Sequence, residues 1–359
     1  MTAIVGTVVV PSELSAAERA VWRSLCEVRP ELASPFYSPA YAEAVGSIYP
    51  HARVAVLRSA DEIVGFFPFQ YANVFRRKLR AAERIGGEMT DHAGVVANAG
   101  LKIDPATLLR AARLSYFYFT HLDESQLLHG LTGEHSERGV TIEIGRTAAA
   151  YWHELRSRER SAVSDTERRH RNLIRDLGPL RFRLHEPEPA AHIDFLIEMK
   201  TRQYERTGVG SALRQPWKVA LLKRLARVSD PQCTGVTSTL HAGATWVASH
   251  FGLRHGGVLH YWFPVYNPAL AKYSPGRQLL RAILLSADEN GLRIIDRGAG
   301  ESPNKVTFGN GRQVYYRGVW RLPGVRSLSA HISHSVVWRW QTRHGRRRDS
   351  ALEDAPTTT

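Results

Sequence analysis

The stretch Val258–Leu280, VLHYWFPVYNPALAKYSPGRQLL, holds the densest set of residues able to do chemistry in this 359-residue chain. Pro264 falls inside a run that otherwise reads as a central strand. Proline cannot donate to a β-ladder, so it marks a bulge or an edge, where backbone groups stay free for a ligand to pair with. Tyr273-Ser274-Pro275-Gly276-Arg277 then opens an amphipathic helix with the apolar stripe Leu279, Leu280, Ile283, Leu284 and Ala287. The unpaired N–H groups of that first turn, with Arg277 and Gln278 beside them, suit a pyrophosphate. A purely structural reading stands beside this one: Ser274 as a helix cap and Gly276 as a packing glycine.

Other candidates flank this stretch. His250, in the preceding strand pattern, could take a proton as a neutral imidazole, with Asp296 at the end of a later strand orienting it. Tyr266 and Tyr273 offer phenols as proton donors, and with Trp262 they make an aromatic wall. Glu301 and Lys305 lie in a glycine-rich loop, where Lys305 could hold a phosphate or carboxylate. Asp91 and His92 sit in a polar loop of the first half. Each has an ordinary alternative: a hydrogen-bonded sheet histidine, core aromatics, a turn-capping aspartate, an Asx turn near Gly86–Gly87, a surface lysine. His260 reads as structural, and Arg168, Arg169 and Arg171 spread around a helix as a solvated face. No phosphate-binding glycine loop, GxSxG elbow or HExxH pattern occurs.

These residues need elements to hold them. In the first half, the pattern predicts helices over Ser15–Cys26, from Ser38–Pro39 to Gly46, and from Asp104–Pro105 to Leu114. It predicts strands over Arg53–Arg58, Ile63–Tyr71, Tyr116–Thr120 and Val140–Ile144. The first ~35 residues read as a leader. In the second half, helices are expected from Ala148, over Thr166–Leu177, Ala190–Arg206 and Gln215–Val228, with Arg181–His185 as a strand. A three-strand meander follows, Cys233–Leu240, Thr245–Arg254 and Val258–Val265, then a helix over Pro275–Asn290 and a strand over Arg293–Asp296. VAVLRSADEIVGFF resembles VTSTLHAGATWVASHF as strand, tight turn, strand, a weak internal repeat. The fold class is therefore α/β (α+β) with mixed, largely antiparallel sheets. We expect three regions: 1–146, 147–320, and a basic tail over 321–359 with a helix Ser327–Arg343 and disorder from Arg346.

Composition bounds the class. The chain is 43% hydrophobic and 23% charged, which is globular, and its length suits two domains. The two cysteines, Cys26 and Cys233, lack disulfide or zinc spacing, so no metal is expected. No secretory leader and no membrane-length apolar run is visible, and a cytoplasmic protein is expected. The net charge of +14 would draw phosphate-bearing partners. Seven arginines and no acid between Arg321 and Arg348 leave room for peripheral membrane contact by the tail.

HFGLR, HYWFPVYN, KYSPGRQLL and IDRGAGESPNKVTFG, in that order, resemble the CelD/BcsL-type acetyltransferase family of the GNAT superfamily, related to the FemAB-type transferases. GGEMTDHAGVV, FTHLDESQ, RRHRNLIRDLGPLRF and MKTRQYERTG match it in position and character, so the likeness spans roughly residues 30–310. The resemblance implies tandem GNAT-like (acyl-CoA N-acyltransferase) domains. A splayed central strand pair would meet the helix at Gly276, where acetyl-CoA or another acyl-CoA would bind. The pantetheine arm would run along Val258–Val265, with Ser274, Gly276, Arg277 and Gln278 on the phosphates. His250, Asp296, Tyr266 and Tyr273 would be catalytic. Asp91, His92, Trp262, Glu301 and Lys305 would meet a sugar-like or amino-acid-like acceptor. Family members are commonly assigned to exopolysaccharide or cellulose biosynthesis. Asn267 and Asn304 depart from the family pattern, which usually has aspartate and an aromatic there.

Two other readings stay open at this point. One is a FemAB-like aminoacyl transferase with a charged tRNA as donor, although no nucleic-acid reader motif accompanies the charge. The other is a non-catalytic GNAT-fold scaffold for polysaccharide, anionic lipid or a synthase complex.

Overall fold

Local capping chemistry starts the helices of the first half. In the computed structural model, which describes residues 3–208 and 212–333, strand β1 (Ile4–Val9) precedes helices α1 (Ala16–Val28) and α2 (Pro39–Ile48). Ser15 and Glu18 form a reciprocal capping box on α1. The Ser38 hydroxyl accepts from Tyr41 N, with Pro39 at the first helical position of α2. Strands β2 (Ala52–Ser59) and β3 (Glu62–Gln70) make the expected hairpin. Helix α3 (Val74–Lys78), β4 (Ala81–Arg84), the short β5 (Val96–Ala97), α4 (Pro105–Ala111), β6 (Tyr116–Asp123) and β7 (His135–Glu143) follow.

The second half continues through α5 (Ala148–Arg158), α6 (Arg160–Leu177), β8 (Leu180–Arg183), α7 (Pro189–Thr207) and α8 (Pro216–Leu225). Gly208, at φ 66°, ends α7 in the left-handed conformation that glycine adopts without strain. After the two-residue β9 (Ser229–Asp230) comes the meander β10 (Cys233–Ala242), β11 (Thr245–His255) and β12 (Val258–Tyr266). Helix α9 (Pro275–Leu285), β13 (Ile294–Ala299), α10 (Pro303–Phe308) and β14 (Gly311–Arg321) complete it. Residues 325–333 are helical. The rest of the helix expected over Ser327–Arg343, and the region from Arg346, lie outside the described residues.

Among the described residues, fourteen strands join in one mostly antiparallel sheet, ordered β1-β2-β3-β4-β6-β14-β7-β13-β12-β11-β10-β8, with β5 on β3 and β9 on β10. The mixed α/β class is the one expected, and the sheet is continuous across both halves through β7, which pairs with β14 on one side and β13 on the other. Five of these strands were not anticipated: the short β4, β5 and β9, and the longer β1 and β14. β1 lies in the supposed leader and pairs with β2 from Ile4↔Ser59 to Val9↔Val54. β14, near the chain's end, inserts between β6 and β7 and so completes the first half.

One apolar cluster draws from both halves: Trp22, Tyr41 and Val45 pack with Leu221, Phe251 and Phe263. A second lies between the meander and helices α5, α6 and α9, and a third between β2, β3, β6 and α4. Among the described residues, parallel ladders are short. β4 meets β6 over three pairs, Ala81↔Tyr116 to Glu83↔Tyr118, and β12 meets β13 over three, Val258↔Ile294 to His260↔Asp296. Beside β6 the chain fills the gap itself, through a parallel bridge of Ala93 to Leu122. Beside β12 the gap stays open.

Candidate active site

Past His260, β12 leaves β13 but keeps its ladder to β11. The register slips there, because Phe251 faces Phe263 while Leu253 faces His260, leaving Tyr261 and Trp262 opposite Gly252. That is a bulge, and it turns the strand. Gly252 permits it, since a Cβ there would stand 2.2 Å from the His260 carbonyl oxygen. Pro264 lies just beyond, opposite His250, in the half of β12 with no strand on its second side. The expected bulge is thus real, displaced by two or three residues from the proline.

A cavity of about 380 Å³ occupies the parted region, lined by Lys200, Tyr261, Tyr266, the turn Ser274–Arg277 and Arg297. Ser274 has φ 53° and ψ 59°, a left-handed conformation rare for a residue with a Cβ, and its side chain makes no capping hydrogen bond. It therefore does not serve as the helix cap that the structural reading offered. A Cβ on Gly276 would meet nothing within 4 Å, so this face of the turn is open to a ligand.

The lining is cationic. Lys200 is 9% exposed, and its Nζ donates to the Pro264 carbonyl at 3.1 Å. Burial presses its ammonium down to about 8. Arg297 donates to the Asn304 carbonyl at 2.7 Å, its Nε has no partner among the described residues, and burial lowers its pKa. Among the described residues no carboxylate lies within 4 Å of either cation. Arg277 at the helix tip shares Asp165 with Arg168 and Arg169, three guanidinium groups around one carboxylate. Such a cavity favours an anionic ligand.

Beside the cavity a buried chain of alternating carboxylates and imidazoles joins the two halves. His92 Nδ1 lies 3.2 Å from Asp123 Oδ2, and its Nε2 lies 2.9 Å from Asp296 Oδ2. His260 Nδ1 lies 3.1 Å from the same Asp296 oxygen, and its Nε2 lies 2.8 Å from Asp91 Oδ2. Burial disfavours charge on both rings, but carboxylates on each side outweigh it and raise His92 to about 10 and His260 to about 9. Burial likewise opposes ionisation of Asp91, and the His260 bond overcomes it, holding Asp91 at about 2. His260 is thus held by a carboxylate at each ring nitrogen.

Several expected roles are rearranged. Asp296 does not orient His250: its Oδ2 serves His92 and His260, and its Oδ1 accepts from Gly298 N at 2.7 Å. His250 is wholly buried, bonds Ser238 at 3.1 Å and stacks flat on Tyr261 at 4.4 Å. Burial, with His260 nearby, presses it to about 3, so it stays neutral but shut behind Tyr261. Tyr266 lines the cavity. Tyr273 instead gives its hydroxyl to Asp176 at 2.7 Å, and Gln278 spends its amide on Thr166, Tyr273 and His170.

Trp262 packs against Phe36 and Phe263, outside the cavity. His92 is buried, whereas the Asp91 side chain stays 20% exposed. Lys305 donates to the Ala299 carbonyl at 2.6 Å, and Glu301 stands 4.0 Å from Arg138. Asn267 caps the turn after β12, and Asn304 lines the cavity. Lys200, Arg297, Asp123 and Tyr315 were missed. Lys200 had a signal: with Ile193, Leu196 and Ile197 it continues the buried stripe of its helix, an odd place for a lysine.

Residues 160–306 match the acetyltransferase (GNAT) domain family. No curated protein matches the chain. Among solved structures, that of FemX superposes with a TM-score of 0.57 at 10% identity, covering 87% of this chain and 96% of its own. A conserved protein of unknown function from Bacteroides thetaiotaomicron superposes with a TM-score of 0.53 at 9% identity, covering 87% and 98%. At such identities the likeness is one of fold, and the fold is GNAT-like.

Proposed function

We propose that this protein is an acyltransferase that moves an acyl group from an acyl-CoA thioester, acetyl-CoA in the simplest case, to an amine or hydroxyl of a sugar-like or amino-acid-like acceptor. The observation that carries the reading is the parting of β12 from β13 after three paired residues, beside an open helix tip. The pantetheine arm takes the unpaired edge of β12 as an added strand would. The pyrophosphate sits at Ser274–Arg277, where the Gly276 N–H and the Arg277 side chain meet it; the other N–H groups expected to be free are taken, Ser274 N by Ala271 and Arg277 N and Gln278 N by the Ser274 carbonyl.

Holding donor and acceptor side by side supplies much of the rate. Lys200, with its pKa near 8, is the cavity's proton acceptor in place of His250. The acceptor nitrogen or oxygen attacks the thioester carbon and gives its proton to neutral Lys200. The C–S bond then breaks, and the leaving thiolate takes a proton from Tyr266. Backbone N–H groups at the Tyr261–Trp262 bulge and the Arg297 guanidinium stand where the oxyanion forms. Asp91 of the first half and Lys305 of the second shape the acceptor side, and exopolysaccharide precursors are one such acceptor class.

The test is calorimetric titration with acetyl-CoA and coenzyme A at physiological salt, followed by thiol release with a panel of amino sugars and amino acids. Saturable binding with release above the acceptor-free rate supports the reading. Binding without release on any acceptor points to a scaffold. Failure of both CoA species to bind, with consumption of aminoacyl-tRNA, overturns it.

A further inference from the structure

We propose that His92, His260 and Asp296 bind one divalent transition cation of the zinc class, clasping the two halves of the chain. The site does not depend on the acyl-donor reading. His92 belongs to the loop after β4 in the first half, whereas His260 and Asp296 are register partners across the β12–β13 ladder. His92 Nε2 and His260 Nδ1 point at a single atom, Asp296 Oδ2, from 2.9 and 3.1 Å. The three atoms lie within 4.8 Å of one another. Tetrahedral zinc with bonds of about 2.0–2.1 Å separates its ligand atoms by roughly 3.3 Å, so small ring rotations bring the set into coordination.

The surroundings match what metal-bound histidines need. Each ring's outer nitrogen is held by a carboxylate, His92 Nδ1 by Asp123 and His260 Nε2 by Asp91, an arrangement that fixes the tautomer and leaves the inner nitrogen as ligand. All three ligand residues are at most 4% exposed, and Phe36 covers the His260 ring edge-on at 4.8 Å. The Tyr315 hydroxyl, 3.4 Å from His92 Nε2, stands at the fourth position, which it or a water completes. Two imidazoles and one carboxylate select zinc, cobalt or nickel over magnesium and calcium.

The exchange also balances in charge. Without metal, both nitrogens of each ring lie within hydrogen-bond distance of a carboxylate oxygen, three carboxylates in all, so each ring has to donate twice. On binding, the two inner N–H bonds break, two metal–nitrogen bonds and one metal–oxygen bond form, and two protons leave to solvent. One dication thus replaces two protons at constant net charge, and the outer hydrogen bonds persist.

The experiment uses the full-length protein with any affinity tag removed. Elemental analysis after dialysis against zinc, and competition with a chromophoric chelator, give stoichiometry and affinity. Cobalt substitution reports geometry through visible d–d bands. We expect about one cation per chain, tetrahedral cobalt bands, binding abolished in His92→Asn and weakened roughly 10–100-fold in Asp123→Asn, and His241→Asn unchanged. Circular dichroism checks that each variant is folded. If His92→Asn does not fold, wild-type stoichiometry and the cobalt spectrum decide alone. Absence of stoichiometric metal in the wild type, or undiminished binding in folded His92→Asn, overturns the site and leaves a purely ionic clasp.

Discussion

His92 Nε2 lies 2.9 Å from Asp296 Oδ2, a contact between residues 204 positions apart that ties the first half of the chain to the wall of the cavity beside β12. Arg297, the next residue on β13, lines that cavity. The inter-half clasp and the proposed catalytic groups therefore share one strand, and their disturbance separates into stability effects and binding effects.

Asp296→Asn removes the carboxylate that both buried rings use. It should destabilise the protein by about 3–5 kcal/mol, the usual consequence of leaving buried charge without its partner. Urea denaturation measures it. A loss below about 1 kcal/mol would mean that the network contributes little.

Gly276→Val puts side-chain atoms where the fold has open space. Stability should stay within about 0.5 kcal/mol of the parent. Coenzyme A binding should weaken about tenfold or more, roughly 1.4 kcal/mol, seen by calorimetry. Unchanged affinity would move the pyrophosphate away from this turn.

Lys200→Met tests the proton acceptor. Thiol release should fall roughly 10²–10⁴-fold with CoA binding retained. Stability carries a second signature. Lys200 titrates near 8 in the folded state and near 10.5 unfolded. Between those values the unfolded chain holds more protons, so this group makes stability rise with pH across that window, having been at its least favourable below pH 8. The variant should lose that rise in denaturation series from pH 7 to 10. A parent whose stability shows no Lys200-dependent slope would contradict the assignment.

Ser274→Gly relieves a left-handed backbone conformation without removing a cap, because the Ser274 side chain makes none. The gain should be about 1 kcal/mol, read as a higher denaturation midpoint. Destabilisation would show that the serine hydroxyl holds the turn.

Much of the scaffold was legible because it is local. Ser38–Pro39, Gly208 and the turns between β10, β11 and β12 act over a few residues, so their chemistry reads directly from spacing. β14 was not legible, although Val314 to Trp320 carries apolar and aromatic residues at strand spacing, because its ladder partners β6 and β7 lie far away in the sequence. The site divides the same way. The Ser274–Arg277 turn and the disturbed strand at Pro264 could be named from one segment. The partner of Asp296 could not: a carboxylate at a strand end suits many histidines, and proximity in sequence to the meander favoured His250.

The sequence by itself determined most of the longer helices and strands, where the meander and its following helix fall, and that the strand bearing Pro264 could not be regular. Periodicity, caps and proline's missing donor are properties of a few neighbouring residues. Only the tertiary structure decided that β14 returns between β6 and β7, that Lys200 and Arg297 face one cavity with no carboxylate among its described lining residues, and that His92 reaches Asp296 while His250 is walled off by Tyr261. Those outcomes depend on how a long sheet closes on itself and which faces its helices cover, and long-range packing sets them where no short window of residues can.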